Sequence, residues 1–594
     1  MKRDSGIYIR VTCAVLLALG VFARTPACAE STADDLLITH GESGRYGGSL
    51  VVLERAEPKT LNPVTALDAP SRDVIRRMMA DLISINRRTL ETEPSVAKSW
   101  VVSRDGRQYV LELRRGLRFS DGHPVDAEDI LFTFRAYLDE AVHSPQRDLL
   151  VIGGQPIGVE KVDATHVRFR LSQPYAAAER IFDSVAILPR HLLEKAWREG
   201  KLGDAWSLNT PPAEMAGLGP FQLKEYVPGD KIVLSKNKYY WKVDQKGNRL
   251  PYLDQIEFHF VPAEDTQVAQ FIAGEADILN RVGARNFDLL SGEARTKDGH
   301  LEDAGPGLEY NFLFFNLGQV DAQRFPEIVA RQAWFRDVRF RQAISAAVDR
   351  DAIVRLVYGG RASALWGHVT PANRVWLNAA LPKPAQSIER ARRLLQDAGF
   401  RWNEDGGLMD ASGKPVQFSI LVSSSSLERG QMATVIQEDL KKLGIQTQVV
   451  SLEFRALLDR VLNSRQYEAS ILGLVSGDAD PNPEMNVWLS SGGSHLWNPS
   501  QNQPMTAWEA EIDRLMRQQM TTLDHAHRKQ LYDRVQQIAA ENLPLICLAS
   551  PNILVAARKN LGNFQPAVVD HYTLWNAEQL YWRQPAGARA QGAR

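Results

Sequence analysis

The hydrophobic pattern switches repeatedly between a two-residue and a 3.6-residue period, which predicts alternating strands and helices. Short apolar or alternating runs at Ser49–Leu53, Tyr109–Leu113, Val167–Leu171, Phe221–Val227, Lys231–Leu234 and Ile256–Val261 predict strands. Apolar positions 74, 75, 78, 79, 82 and 83 recur at helical spacing and predict a helix over Val74–Ile83. Asp126, with Asp129 three residues on, resembles a capping box. It opens a helix whose apolar stripe is Ile130, Leu131, Phe134 and Leu138. Val268–Ala273 predicts a short helix ended by Gly274, and Val338–Val348 predicts another with Phe340, Ile344, Ala347 and Val348 on one face.

The clearest unit is Gln417–Val450. Gln417–Val422 reads as a strand. Met432, Val435, Ile436, Leu440 and Leu443 line one face of a helix that Gly444 ends, and Ile445–Val450 reads as a second strand. A β-α-β unit of this kind predicts parallel strands joined by a right-handed crossover. The class is therefore α/β.

In open α/β sheets ligands bind beyond the carboxyl ends of the strands. Two loops leave such ends. Ser423–Ser426, with Ser424 and Ser425 at its centre and Arg429 a few residues on, offers hydroxyls and free helix N–H groups to an anion. A solvated loop with a capping serine explains it equally. The loop after Ala469–Val475 carries Asp478 and Asp480, which suit an amine, although turn chemistry alone also accounts for Asp, Gly and Pro there. Together the loops suggest a cleft with an acidic end and an anion-binding end, matched to a zwitterion such as a short peptide.

The N-terminus is set apart from this pattern. Lys2, Arg3 and Arg10 precede an uncharged run, Val11–Ala23, too short to cross a bilayer, and Ala27-Cys28-Ala29 fits a cleavage site with Glu30 the first mature residue. Residues 1–29 are thus expected to be a signal peptide and the protein to be periplasmic. Cys28 lacks the Leu-containing context of a lipid anchor, and removal of the segment leaves Cys547 alone, excluding an internal disulfide.

Composition narrows the class further. With 594 residues, 44% hydrophobic and 24% charged, the chain is neither disordered, collagen-like nor a coiled-coil rod. A net charge of −1 gives no sign of nucleic-acid or anionic-membrane binding. Ser95–Lys98 matches S-x-x-K without companion motifs and reads as a helix surface. No Walker A, G-x-S-x-G or H-E-x-x-H sequence is found, so no catalytic residue, metal site or cofactor is expected.

The order and spacing of further residues is specific. Thr60-Leu61-Asn62-Pro63 is followed by Pro94–Trp100, Asp105-Gly106, Asp121-Gly122, Gly217–Phe221, Asn237, Tyr239–Trp241, Gly274–Ile278, Asn316 and Asp337–Ile344. On these residues the chain resembles the bacterial extracellular solute-binding proteins of family 5, the peptide/nickel-type importer components, over nearly all of 46–582. The resemblance implies a two-lobed periplasmic-binding-protein fold (type II, cluster C) with an extra subdomain. Lobe I would comprise 46–65, 216–305 and 548–582, its extra subdomain 66–215, and lobe II 306–547, with a flexible tail at 583–594. The hinge would lie near Tyr310–Asn316 and Pro544–Ala549.

It also implies a binding protein rather than an enzyme. The ligand would be a peptide or other small solute, delivered by a monomer to ABC permease and ATPase subunits in the inner membrane. In peptide-binding members an Asp after the Ala469–Val475 strand holds the peptide amine. Asp478 falls there, with Asp480 the near alternative. The loop where dipeptide binders place an Arg for the carboxylate is Ser-rich here, with Arg429 nearby, which favours longer peptides. An oligosaccharide is the alternative ligand, on whose rings Trp488, Trp497 or Trp508 could stack, although a core role accounts for each of them first. A secreted hydrolase and a chaperone-like binder are the readings from other classes.

Overall fold

The computed structural model describes residues 35–292, 298–499, 501–570 and 572–584. The expected signal peptide and residues 585–594 of the tail lie outside the described residues. Strand β1 (Ser49–Glu54) shows why the apolar run at its centre is unbroken. Leu50 and Val52 enter one core while Val51 and Leu53 enter a second on the opposite face. A strand covered on both sides needs apolar residues at every position.

Helix α1 (Ala69–Met78) is capped by Asp68, whose side chain accepts from Ser71 N–H. It starts and ends earlier than the 74–83 pattern predicts. The Met78 carbonyl takes the Gly219 N–H at 2.9 Å instead of a further helical turn. A Cβ at Gly217 would lie 2.0 Å from the same oxygen, so only glycine lets the 217–219 backbone pass there. The apolar residues after the helix feed the strand Ile83–Ile85.

The stretch expected to form the extra subdomain holds β2 (Ala97–Val102), β3 (Gln108–Leu113), α2 (Ala127–Leu138), β4 (Gly158–Lys161) and β5 (His166–Arg170). Its antiparallel sheet runs β2-β3-β5-β4. The Asp126–Asp129 capping box forms as expected, and Phe134 of α2 packs on Phe169 of β5 at 4.8 Å. Lys98 lies on strand β2, ion-paired with Asp35 and Glu112, which corrects the expected helix surface.

Lobe I continues through β6 (Phe221–Val227), β7 (Lys231–Lys236), β8 (Gln255–Phe260), α3 (Glu264–Ala273) and β9 (Ile278–Leu279). Two strands then run toward the other lobe, β10 (Gly299–Pro306) and β11 (Glu309–Phe315). Lobe II contains α4 (Val338–Ala347), β12 (Ala362–Ala364), β13 (Gln417–Ser423), α5 (Leu427–Lys441), β14 (Gln446–Leu452), β15 (Ala469–Val475), α6 (Ala507–Thr521) and α7 (His525–Asn542). As the spacing predicts, β13 and β14 are parallel. Gly444 (φ +78°) follows α5, where a Cβ would meet Gly406 O at 2.2 Å.

The chain returns through β16 (Leu545–Arg558), the longest strand. It joins one twelve-stranded sheet, β6-β7-β8-β1-β9-β16-β11-β15-β13-β14, with β10 and β12 also paired to β16. The first half of β16 pairs with β11 and the second with β10. The changeover falls at 306–309 and 549–552, a few residues from the expected hinge, because Pro306 and the irregular pairing at Asn311 break the ladder there. Separate cores on either side, one built from β1 to β9 and residues 557–582, the other from Tyr310 to Ala549, support the proposed division into two lobes.

Candidate functional site

The loop after β15 sits between the lobes because β15 pairs with β11 and ends at the crossing strands. Asp478 there is gripped by a residue of the opposite lobe. Arg180, from the short helix Ala178–Ile181, donates to both carboxylate oxygens through Nε and Nη2 and also to Leu90 O at 3.0 Å. Burial works against the Arg180 charge, but the hydrogen bonds and charge of Asp478, with Asp480 and Asp183 behind it, raise its pKa. The segment before Arg180 also docks: Ala176 N–H donates to Met520 O at 2.8 Å. Leu90 and Val569 meet Leu308 and Ala479 in a small apolar cluster that closes the same side.

Asp480 has a different place. It is 4% exposed and accepts from Arg528 Nη1 and Nη2 at 2.7 and 2.6 Å, and from Asn482 N–H at 2.9 Å. Arg528 is in turn held by Gln519 and lies 4.9 Å over the Trp376 ring. Its carboxylate is thus enclosed in lobe II, which leaves Asp478 the member of the pair that meets the other lobe.

At the second loop, Ser424 and Ser425 are exposed, and Ser426 caps α5. Arg429 leaves this loop region across the sheet, donating to Asn311 Oδ1 at 3.0 Å and approaching Glu309 at 3.4 Å. The other oxygen of Glu309 accepts from Arg281 of lobe I at 2.6 Å. Glu309 therefore ties an arginine from each lobe to the start of β11. Trp488 is 1% exposed and packs between His368, at 4.2 Å, and Trp497, at 5.7 Å. Its burial among rings of its own lobe places it in the core, the other reading of this residue, and not on an open cleft wall. Trp497 is fully buried and donates to Glu509.

Arg180, Arg281 and Glu309 were not singled out by the sequence. Arg180 lies in Ala-Glu-Arg-Ile, an ordinary polar helix face, and nothing local marks it as facing residue 478.

Behind the Asp478 loop, His368 donates to or accepts from Tyr532 Oη at 3.0 Å, near Glu484, which accepts from Tyr310 Oη at 2.8 Å. Burial pushes the His368 pKa down to about 3 and the Glu484 pKa up. An imidazole that titrates near 6.5 when unfolded and near 3 when folded stabilises the protein fully above 6.5 and progressively less as pH falls. Between pH 7 and pH 5 this single group should remove about 2 kcal/mol. Urea denaturation at both pH values should show that loss in the wild type and its disappearance in His368→Gln. Equal losses in the two proteins would refute the assignment.

Two lobes joined by crossing strands, with charged groups reaching across the gap between them, define a solute-binding protein of the lobe-closing class. Comparison with known proteins makes this specific. The family described as bacterial extracellular solute-binding proteins, family 5 Middle, matches residues 91–495, and the chain belongs to that family. It is 29% identical over 531 residues to a probable ABC transporter-binding protein of Deinococcus radiodurans, covering 85% of this chain and 87% of the relative. It is 25% identical over 559 residues to the oligopeptide-binding protein AppA of Bacillus subtilis, covering 93% and 95%. Among solved structures, that of AppA from Bacillus subtilis in complex with a nonapeptide superposes with a TM-score of 0.68 at 24% identity, covering 91% of this chain and all of the other. The substrate-binding protein CtaP from Listeria monocytogenes superposes with a TM-score of 0.75 at 22% identity, over 91% of this chain and all of the other. At these identities the two structures establish the fold, a two-lobed α/β architecture.

Proposed function

We propose that the protein captures peptides, oligopeptides foremost, between its two lobes and presents them as a monomer to the permease of an ABC importer at the periplasmic face of the inner membrane. The reading is supported by relatives named as oligopeptide- and dipeptide-binding proteins over about nine-tenths of their lengths. The observation that carries the site is the Asp478 carboxylate, facing the opposite lobe and already holding a cation from it. A carboxylate largely removed from water needs a positive partner. Arg180 is that partner in the structure, and a peptide ammonium would take its place as the loaded lobes close.

Asp478→Ala should weaken tetra-alanine binding at least tenfold, the scale of one lost charge-assisted hydrogen bond. Acetylating the peptide amine should cost the wild type as much and cost Asp478→Ala nothing more, while Arg180→Ala should still bind. Isothermal titration calorimetry of the three proteins with both peptides measures this. Wild-type affinity in Asp478→Ala removes Asp478 from the site.

A further inference from the structure

We propose that a cavity inside lobe I is an anion pocket that receives a carboxylate of the captured peptide. This rests on the peptide reading above and assigns the end of the ligand opposite to the amine. The cavity has a volume of about 760 Å³ and is lined by lobe I with its extra subdomain and by the segment 37–41 before it, with no residue from lobe II. That size lies within the range of pockets for small organic ligands. One part of its wall lies next in the chain to the gap between the lobes. Arg88 and Thr89, on its wall, immediately precede Leu90, which packs in the cross-lobe apolar cluster and takes a hydrogen bond from Arg180.

Five arginines line this cavity, and they fall into two sets. Arg76 and Arg87 are neutralised in place, sharing Asp183, with Asp81 a further partner of Arg76. The other three end on neutral acceptors. Arg72 donates to Leu67 O, Arg77 to Leu574 O and Arg88 to the Gln565 side chain. Among the described residues, no carboxylate forms an ion pair with any of the three.

Arg77 is the telling member, because it is 4% exposed. Burial pushes its pKa down to about 10 against the attraction of Asp73, one helical turn back, while Arg76 and Arg87 lower it further and Glu578 raises it. Glu578 is itself held by Lys242 at 2.8 Å. A buried guanidinium with one backbone acceptor retains several unmatched donors, and its fork geometry suits a carboxylate held by two parallel bonds. The pocket therefore favours an acidic side chain or the carboxyl terminus of the peptide over a neutral group.

The test uses the full mature chain and calorimetry with Ala-Glu-Ala-Ala, its isostere Ala-Gln-Ala-Ala, and both with an amidated C-terminus. Wild-type affinity should fall at least tenfold when the carboxylate that occupies the pocket is removed. Loss on Glu→Gln assigns the side chain and loss on amidation assigns the terminus. Arg77→Met should reduce that discrimination to threefold or less. Arg88→Ala, at an exposed position that folding does not need, should reduce it in part. Equal wild-type affinity for all four peptides overturns the pocket and leaves the peptide reading standing.

Glutarate, followed by the fluorescence of the two tryptophans on the cavity wall, Trp241 and Trp575, separates the two ideas if no peptide binds. A saturable signal lost in Arg77→Met keeps the pocket and drops the peptide. No saturable signal overturns both.

Discussion

Replacing Asp480 by alanine is expected to destabilise lobe II by about 3–5 kcal/mol, the usual result of removing one partner from a buried ion pair. The pair is unusually committed. Both Asp480 oxygens face Arg528, the two side chains are each 5% exposed, and Arg528 is fixed further by Gln519 and the Trp376 ring. Without Asp480 the guanidinium is left in the interior with nothing to balance its charge. Replacing both partners, as in Asp480→Leu with Arg528→Met, should recover much of the loss, because no charge then remains buried. Urea melts followed through lobe II tryptophans measure both variants. Asp480→Ala should nevertheless bind tetra-alanine within about threefold of wild type under conditions where it is folded, whereas Asp478→Ala should not. A large loss of affinity in folded Asp480→Ala would make Asp480 the anchor.

Trp488→Ala should cost a comparable 3–5 kcal/mol, the range for truncating a fully buried aromatic side chain. The ring fills the space between His368 and Trp497, and the cavity left behind cannot collapse easily against two other rings. Trp488→Phe should cost distinctly less, about 1–2 kcal/mol, for two reasons. It retains most of the apolar volume, and it removes a buried indole N–H that has no hydrogen-bond partner. An unsatisfied donor in the core is a standing penalty, so deleting it offsets part of the lost packing. Thermal and urea denaturation of the two variants give the contrast. If Trp488→Phe were as unstable as Trp488→Ala, the indole N–H would have to be bonded in the native protein. If Trp488→Phe kept full stability but lost ligand binding, the tryptophan would belong to the cleft.

These two residues show where local reasoning stopped. Both lie on or beside the loop that leaves β15, and both have the chemistry of ligand contacts. Asp480 and Asp478 are two residues apart with the same side chain and the same turn-forming neighbours. One is paired by Arg528, 48 residues on, and the other by Arg180, 298 residues back. Neither partner is marked by spacing, because ion pairs of this kind form only once separate lobes and helices are packed. The same holds for Arg77, whose helix position predicts a surface or core role but not that it lines a cavity with two other unmatched arginines. Helix α1 departs from its pattern for a related reason: its end is set by the Gly217–Gly219 segment, which arrives from far along the chain.

The sequence by itself determined the features that depend on neighbours along the chain. These are the alternation of strands and helices, the Asp126–Asp129 capping box, the parallel β13–α5–β14 unit and the ordered residues by which the chain resembles its family. The first three follow from backbone geometry or side-chain periodicity within a few tens of residues, and the last from the order of short motifs along the chain. Tertiary structure alone decided which acidic residue faces the opposite lobe, where Trp488 is buried, how β16 serves both lobes and which cavity arginines end on neutral acceptors. Those outcomes depend on charges and surfaces brought together across hundreds of residues, where the energy of a contact is strong but its sequence separation is arbitrary.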